Sequence, residues 1–341
     1  MKKKLFIITI FIFISSYIFS SGNKEIVIGC AAYKYEDPYI SRIRNVISLE
    51  AQNKAKVIFG DGLGLQLVQN NQIDNFFDQK VDSIIVNIVN RSVASSIIEK
   101  AKKNNIPLVF INREPYSSDM YQWPGSVYYV GSISSESGYM QGQIIADYWK
   151  NNPAADINGD GIMQYVMIKG EFNNKDTSQR TKYSIKAIND ENIKTQKIAS
   201  DFAQWNRVKA QKLMTTFLSE YGKNKIEVVI SNNDEMALGA IDALKTFGYF
   251  FDEKNIPVVG CDASSSALKA IEDGTLVGTV LNDSLNQGKA VFNIAYDLAK
   301  NKSPTKESIG YEISNGKYVW IPYVKVTKEN YWLFKESNNN L

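Results

Sequence analysis

Short apolar runs of strand-like composition alternate with longer stretches carrying apolar residues at helical spacing, and the series runs through twice. The first reads E-I-V-I-G-C, K-V-I-F-G, S-I-I-V-N-I-V, P-L-V-F-I-N and V-Y-Y-V-G between residues 25 and 131, with helical patterns over 41–53, 66–79 and 92–104. Strands alternating with helices argue for parallel sheets built from right-handed crossover units. A second series starts with Q-Y-V-M-I-K-G at 164 and continues through 227–231, 257–261 and 275–281. The expected fold class is therefore α/β, with two doubly wound parallel-sheet lobes. At 341 residues the chain is long enough for two domains whose cores need no disulfide staples. Cys30 and Cys261 each belong to an apolar run and read as small buried hydrophobes rather than as a bridge.

Histidine is absent, which removes histidine-based triads, zincin motifs and His-ligated metals. Basic and acidic residues number 39 and 36, a formal net charge of +3, too even for nucleic acid to be the partner. The chain opens M-K-K-K, continues with an apolar run over 5–19 and then reads S-S-G-N-K. This is the pattern of a cleaved secretory signal, with cleavage expected after Gly22 and the periplasm as destination. The run is shorter than the roughly 20 residues a membrane-spanning helix needs.

The stretch D-I-N-G-D-G-I-M-Q, residues 156–164, has the opening of an EF-hand loop. Asp156, Asn158 and Asp160 fill positions 1, 3 and 5, Gly161 fills the sharp turn at 6, Ile162 offers a backbone carbonyl at 7 and Gln164 fills 9. Position 12 is Met167, whose soft thioether is no ligand for hard calcium, so a carboxylate must come from elsewhere. The same residues also populate ordinary surface turns that hold no ion.

Ligands of open parallel sheets gather beyond the carboxyl ends of the strands. Here those ends carry Y-K-Y-E-D-P-Y from Tyr33, Asn87, K-G-E-F-N-N-K-D-T-S-Q-R from Lys169, N-N-D-E from Asn232, D-A-S-S from Asp262 and N-D-S-L-N from Asn282. Amides, carboxylates, an arginine and aromatic rings suit a neutral polyhydroxylated ligand, since each hydroxyl both donates and accepts. Each residue taken singly also fits the role of a helix cap or a turn.

Over nearly its whole length after the signal, the sequence resembles the galactose/glucose-binding branch of the type I periplasmic sugar-binding proteins of ABC import. The likeness is carried by Y-K-Y-E-D near the start, Q-x-x-Q-I-D ending at Asp74, N-N-D-E-M-A-L-G-A from Asn232 and G-T-V-L-N-D from Gly278. It implies a distant Glu227 completing a structural calcium site with Asp156, Asn158, Asp160, the Ile162 carbonyl and Gln164. By motif, the implied sugar contacts are Asp37, Tyr39, Asn87, Asn174, Asp176, Arg180, Trp205, Asn233, Asp262 and Asn282. Tyr39 stands where the family has Phe, and Asn174 where it has a sugar-binding His. A three-segment hinge is expected near 130–132, 282–284 and 319–322, the first read from the restart of the strand series and the others from the resemblance. The resulting organisation is a signal peptide at 1–22, an N-terminal lobe of 23–131 with 283–320, and a C-terminal lobe of 132–282 with 321–341. The implied protein is a monomeric receptor that closes on D-galactose or D-glucose and delivers it to a membrane ABC permease, with a chemoreceptor as a second partner. Competing readings are a receptor for another monosaccharide such as a pentose, and a glycosidase using carboxylates such as Asp176 and Asp262. With no histidine to titrate, affinity is expected to be nearly flat from about pH 5 to 8.

Overall fold

A computed structural model describes residues 24–222, 224–251 and 255–335. The signal segment at 1–22 and the asparagine tail at 338–340 lie outside the described residues. One sheet holds β1 (Val27–Ala32), β2 (Lys56–Asp61), β3 (Ser83–Val86), β4 (Leu108–Ile111) and β5 (Val127–Gly131); the other holds β6 (Ile162–Lys169), β7 (Lys194–Phe202), β8 (Val228–Ser231), β9 (Val258–Val259) and β10 (Gly278–Leu281). Late in the chain, β11 (Tyr318–Trp320) joins the free edge of the first and β12 (Val324–Thr327) that of the second. Across the sheets the orders are β2-β1-β3-β4-β5-β11 and β7-β6-β8-β9-β10-β12, the same winding twice. All neighbours are parallel except β12, which runs antiparallel to β10.

The central strands β3, β4 and β8 are buried at every residue, because helices cover both faces of a parallel sheet and leave no solvent side. Strand β7 is the exception. It reads K-T-Q-K-I-A-S-D-F, lies at the edge, is half-exposed and has no apolar run to announce it. The first lobe carries α1 (Pro38–Ala51), α2 (Gln66–Asp78) and α3 (Ala94–Asn104); the second carries α4 (Ser134–Asn151), α5 (Lys175–Asp190), α6 (Arg207–Tyr221), α7 (Asp234–Thr246) and α8 (Ser265–Glu272). Helix α9 (Ser284–Ala299) returns to the first lobe, where Ala290, Val291 and Ile294 pack with Ile28 and Val109. The chain thus passes between sheets after β5, after β10 and between β11 and β12. Cys30 and Cys261 are free thiols buried in the cores of different lobes, and burial pushes the Cys30 thiol up to about 12.

Helices α4 and α5 meet backbone to backbone. A Cβ on Gly142 would stand 2.1 Å from the Ser184 carbonyl oxygen, and one on Gly138 2.7 Å from Arg180 Cα. Only glycine permits that approach, and it seats the helix that carries Asp176 and Arg180.

Candidate ligand site between the lobes

The carboxyl ends of both sheets face a common cleft with about 380 Å³ of space free of protein atoms, its open mouth included. Asp37, Tyr39, Asn174, Asp176, Arg180, Trp205, Asn233, Asp262 and Asn282 all line it, drawn from both lobes.

Three of these side chains are helix caps as well. Asp37 accepts from the N–H groups of Tyr39 (2.9 Å) and Ile40 (3.2 Å) at the start of α1, Asn174 from Thr177 N–H (3.1 Å) at α5, and Asn233 from Met236 N–H (3.0 Å) at α7. Cap and cleft-lining residue are one and the same, because a helix that follows a strand in this winding begins at the cleft. With its oxygen held by backbone, each asparagine presents its NH₂ as the remaining polar group. The other carboxylate oxygen of Asp37 accepts from the Tyr33 hydroxyl.

Arg180 is buried, at 3 % exposure, and its guanidinium is fixed by donating to Ser137 Oγ (3.2 Å), the Asn232 carbonyl (2.8 Å) and Tyr323 Oη (3.3 Å). Asp262 lies 3.9 Å from it, at the limit of an ion pair. Burial is the larger influence on that carboxyl: it pushes Asp262 up to about 8, against the pull of Arg180 and with the nearby Asp234 adding to the rise. A carboxyl raised toward neutrality thus stands in a cleft that has no histidine. Asn282 Nδ2 donates to Asp262 Oδ1 (3.4 Å), and its own carbonyl accepts from Gln287 (2.8 Å). The Tyr39 hydroxyl is buried without a hydrogen-bond partner, and burial, then Asp262, raises its pKa well above the usual value, so it stays a donor.

Asn87 is placed differently from these nine. Its carbonyl accepts from Tyr33 N–H (3.3 Å) and its amide donates to the Ile111 carbonyl (3.0 Å) and Asn112 Oδ1 (3.2 Å), so it braces the site from beneath and is outside the cleft lining. Of the first lobe's asparagines it is Asn112, just after β4 with φ +62°, that lines the cleft. Tyr33 and Arg113 also line the cleft, the guanidinium lying 3.6 Å over the Tyr33 ring. The signal for all three was present in Y-K-Y-E-D and in N-R-E-P after the fourth apolar run. From that same turn, Arg113 and Glu114 reach across to the second lobe, pairing with Glu171 (2.9 Å) and Lys175.

Far from the cleft, the 156–164 loop turns on Gly159 and Gly161 at φ +73° and +71°. Asp156 accepts from Gly159 and Gly161 N–H (2.8 and 2.9 Å), and Asp160 from Ile162 N–H (2.8 Å). Glu227, 1 % exposed at the head of β8, accepts from Ile157 N–H (2.7 Å) and Gln164 N–H (3.0 Å), which brings the remote carboxylate against the loop. Burial raises its pKa, and Asp156 adds to the rise. Among the described residues no three acidic, His or Cys side chains form a ready-made metal cluster. The loop instead combines carboxylates with amide and carbonyl oxygens, a donor set of hard oxygens that fits calcium chemistry.

Two doubly wound lobes that share a polar, aromatic-flanked cleft at their strand ends define a two-lobed solute-binding protein. Residues 28–303 match the periplasmic binding protein domain. The chain belongs to that family, in the type I sugar-binding branch serving ABC transporters, a group of periplasmic transport receptors rather than enzymes. It is 41 % identical over 318 residues, 93 % of each chain, to the D-galactose/methyl-galactoside binding periplasmic protein MglB of Haemophilus influenzae. Against a putative rhizopine-binding protein of Rhizobium meliloti identity is 30 % over 333 residues, 95 % of this chain and 97 % of the relative. Among solved structures, an ABC transporter solute binding protein from Bacillus halodurans with bound myo-inositol superposes with a TM-score of 0.77 at 27 % identity, covering 93 % of this chain and 99 % of that one.

Proposed function

We propose that the cleft binds one hexose, D-galactose or D-glucose, and that the closed form hands it to a membrane ABC permease. The observation that carries this reading is the convergence of nine side chains at the motif positions, from both lobes, on one cleft. Carboxylates, amide NH₂ groups, the Arg180 guanidinium and the partnerless Tyr39 hydroxyl supply both donors and acceptors, while the Tyr39 and Trp205 rings offer faces for the C–H surface of a sugar. Every hydroxyl left unpaired in a closed site costs about 1–3 kcal/mol, so a site of this composition selects by pairing. The name of the 41 %-identical relative supports galactose. Titration calorimetry against galactose, glucose, ribose, xylose and arabinose is the test. Tightest binding of galactose or glucose is expected; a preference for a pentose by about tenfold or more, 1.4 kcal/mol, would reject the hexose assignment.

Closure is a population shift driven by the ligand's better contacts in the closed state, so saturating sugar should reduce the scattering radius of the open form. The receptor acts as a monomer, and a chemoreceptor that reads the closed form is its second partner. Calcium is the ion for the 156–164 loop, held by Asp156, Asn158, Asp160, the Ile162 carbonyl, Gln164 and Glu227. It would neutralise the acidic loop and act on stability rather than on the sugar, because the loop belongs to the scaffold of one lobe. Chelation should lower the melting temperature and leave sugar affinity unchanged.

A further inference from the structure

A second cavity adjoins the cleft at its mouth and shares Arg113, Asn174 and Asp176 with it. It holds about 820 Å³ of space free of protein atoms, open mouth included, against 380 Å³ for the cleft by the same measure. Its walls come from both lobes and are pinned by the Arg113–Glu171 and Glu114–Lys175 pairs.

Two features of this annex have no use in hexose binding. Phe172 is 73 % exposed at its rim, held edge-on against Phe202 with centroids 5.6 Å apart and planes at 85°, an apolar ring displayed toward solvent. Arg91 lines the annex with a buried Nε that has no hydrogen-bond partner, although its Nη2 donates to the Pro115 carbonyl (2.9 Å). The lining charges cancel: Arg91, Arg113 and Lys175 stand against Glu114, Glu171 and Asp176, three of each sign. A neutral ligand is favoured over an anionic one. Donors and acceptors beside an exposed aromatic face repeat, in looser form, the chemistry of the cleft itself.

We propose that the receptor also takes disaccharides, with one hexose ring in the cleft and the second, polar ring in the annex between Phe172 and Arg91. The proposal rests on the hexose reading of the cleft. In it the three shared residues form a doorway through which the glycosidic oxygen passes, and Phe172 packs on the C–H surface of the second ring.

The test is titration calorimetry of the full protein and of Phe172→Ala with galactose, glucose, lactose, melibiose, cellobiose and maltose. At least one disaccharide should bind within about 30-fold of the better hexose, and Phe172→Ala should weaken it by about fivefold or more while moving hexose affinity less than about twofold. The annex has no such role if the hexose binds and none of the four disaccharides does at about 10 mM. Nor has it if Phe172→Ala changes hexose and disaccharide affinity alike, or neither. Failure of the hexoses themselves would instead overturn the reading of the cleft, and this proposal with it.

Discussion

Gly170 directly follows β6, and the Trp205 indole rests on its bare Cα. A methyl built there would stand 2.1 Å from Cζ2 and 2.2 Å from Cη2 of the ring, and 2.5 Å from Thr177 Oγ1. Tight contact begins near 3.4 Å, so in Gly170→Ala the ring must withdraw by 3.4 − 2.1 = 1.3 Å. Trp205 lines the cleft and Gly170 does not, so a displaced indole alters a wall of the ligand space. Gly170 does not sit at positive φ, so alanine is compatible with its backbone and the effect is steric. Overpacking of this kind costs about 1–3 kcal/mol. If the ring moves, the cost appears as a loss of sugar affinity of about 5- to 150-fold; if it is held in place, the same energy appears as a lower melting temperature. Calorimetry with galactose and glucose, paired with thermal unfolding of the ligand-free protein, reads both. A variant whose affinity stays within twofold and whose melting point stays within about 1 °C would refute the seating of Trp205 on Gly170.

Three further outcomes are expected. In the ligand-free protein Asp262 titrates at about 8 when folded, above its ordinary 3.8, so the folded form holds a proton that the unfolded chain has lost. The stability tied to this group is full below its ordinary value, falls as pH rises to about 8 and is flat beyond; Asp262→Asn should flatten the melting profile between about pH 5 and 8.5, and an unaltered slope would rule Asp262 out as its source. Glu227→Gln leaves at least one of the Ile157, Asn158 and Gln164 N–H groups facing an NH₂, a cost of about 1–3 kcal/mol, and should abolish the calcium dependence of the melting temperature; dependence equal to that of the wild type would exclude Glu227 as a ligand. Reversing one charge of the Glu114–Lys175 pair, which joins the lobes, should weaken sugar binding by about three- to tenfold, and the double swap Glu114→Lys with Lys175→Glu should restore most of it. Singles without effect, or a double as weak as its parents, would show that the pair does not bias closure.

The winding of both lobes was legible because strands buried on two faces must be apolar throughout, and β3, β4 and β8 are. Strand β7 was not, since an edge strand with a solvated face needs no apolar run. The start of α2 at Gln66 matched the periodicity, whereas α1 begins at Pro38, three residues before its apolar periodicity becomes clear, because Asp37 supplies the cap. The turn at 156–164 was legible from the spacing of its Asp, Asn and Gly residues, whereas the approach of Glu227 to it was not, because that residue is remote in the chain. Asn87 and Asn112 show the limit. Both follow buried parallel strands with the same local signature, and only their mutual contact, Asn87 Nδ2 to Asn112 Oδ1 at 3.2 Å, separates the brace from the residue that faces the cleft. Residue types and spacing thus determined by themselves the class of fold, the polar character of the strand ends and the turn at 156–164, because each depends on neighbours in sequence. The pairing of Arg113 with Glu171, the raised carboxyl of Asp262 and the annex beside the cleft were decided by tertiary structure alone, because desolvation and contact between lobes exist only once residues far apart in the chain are brought within a few ångströms.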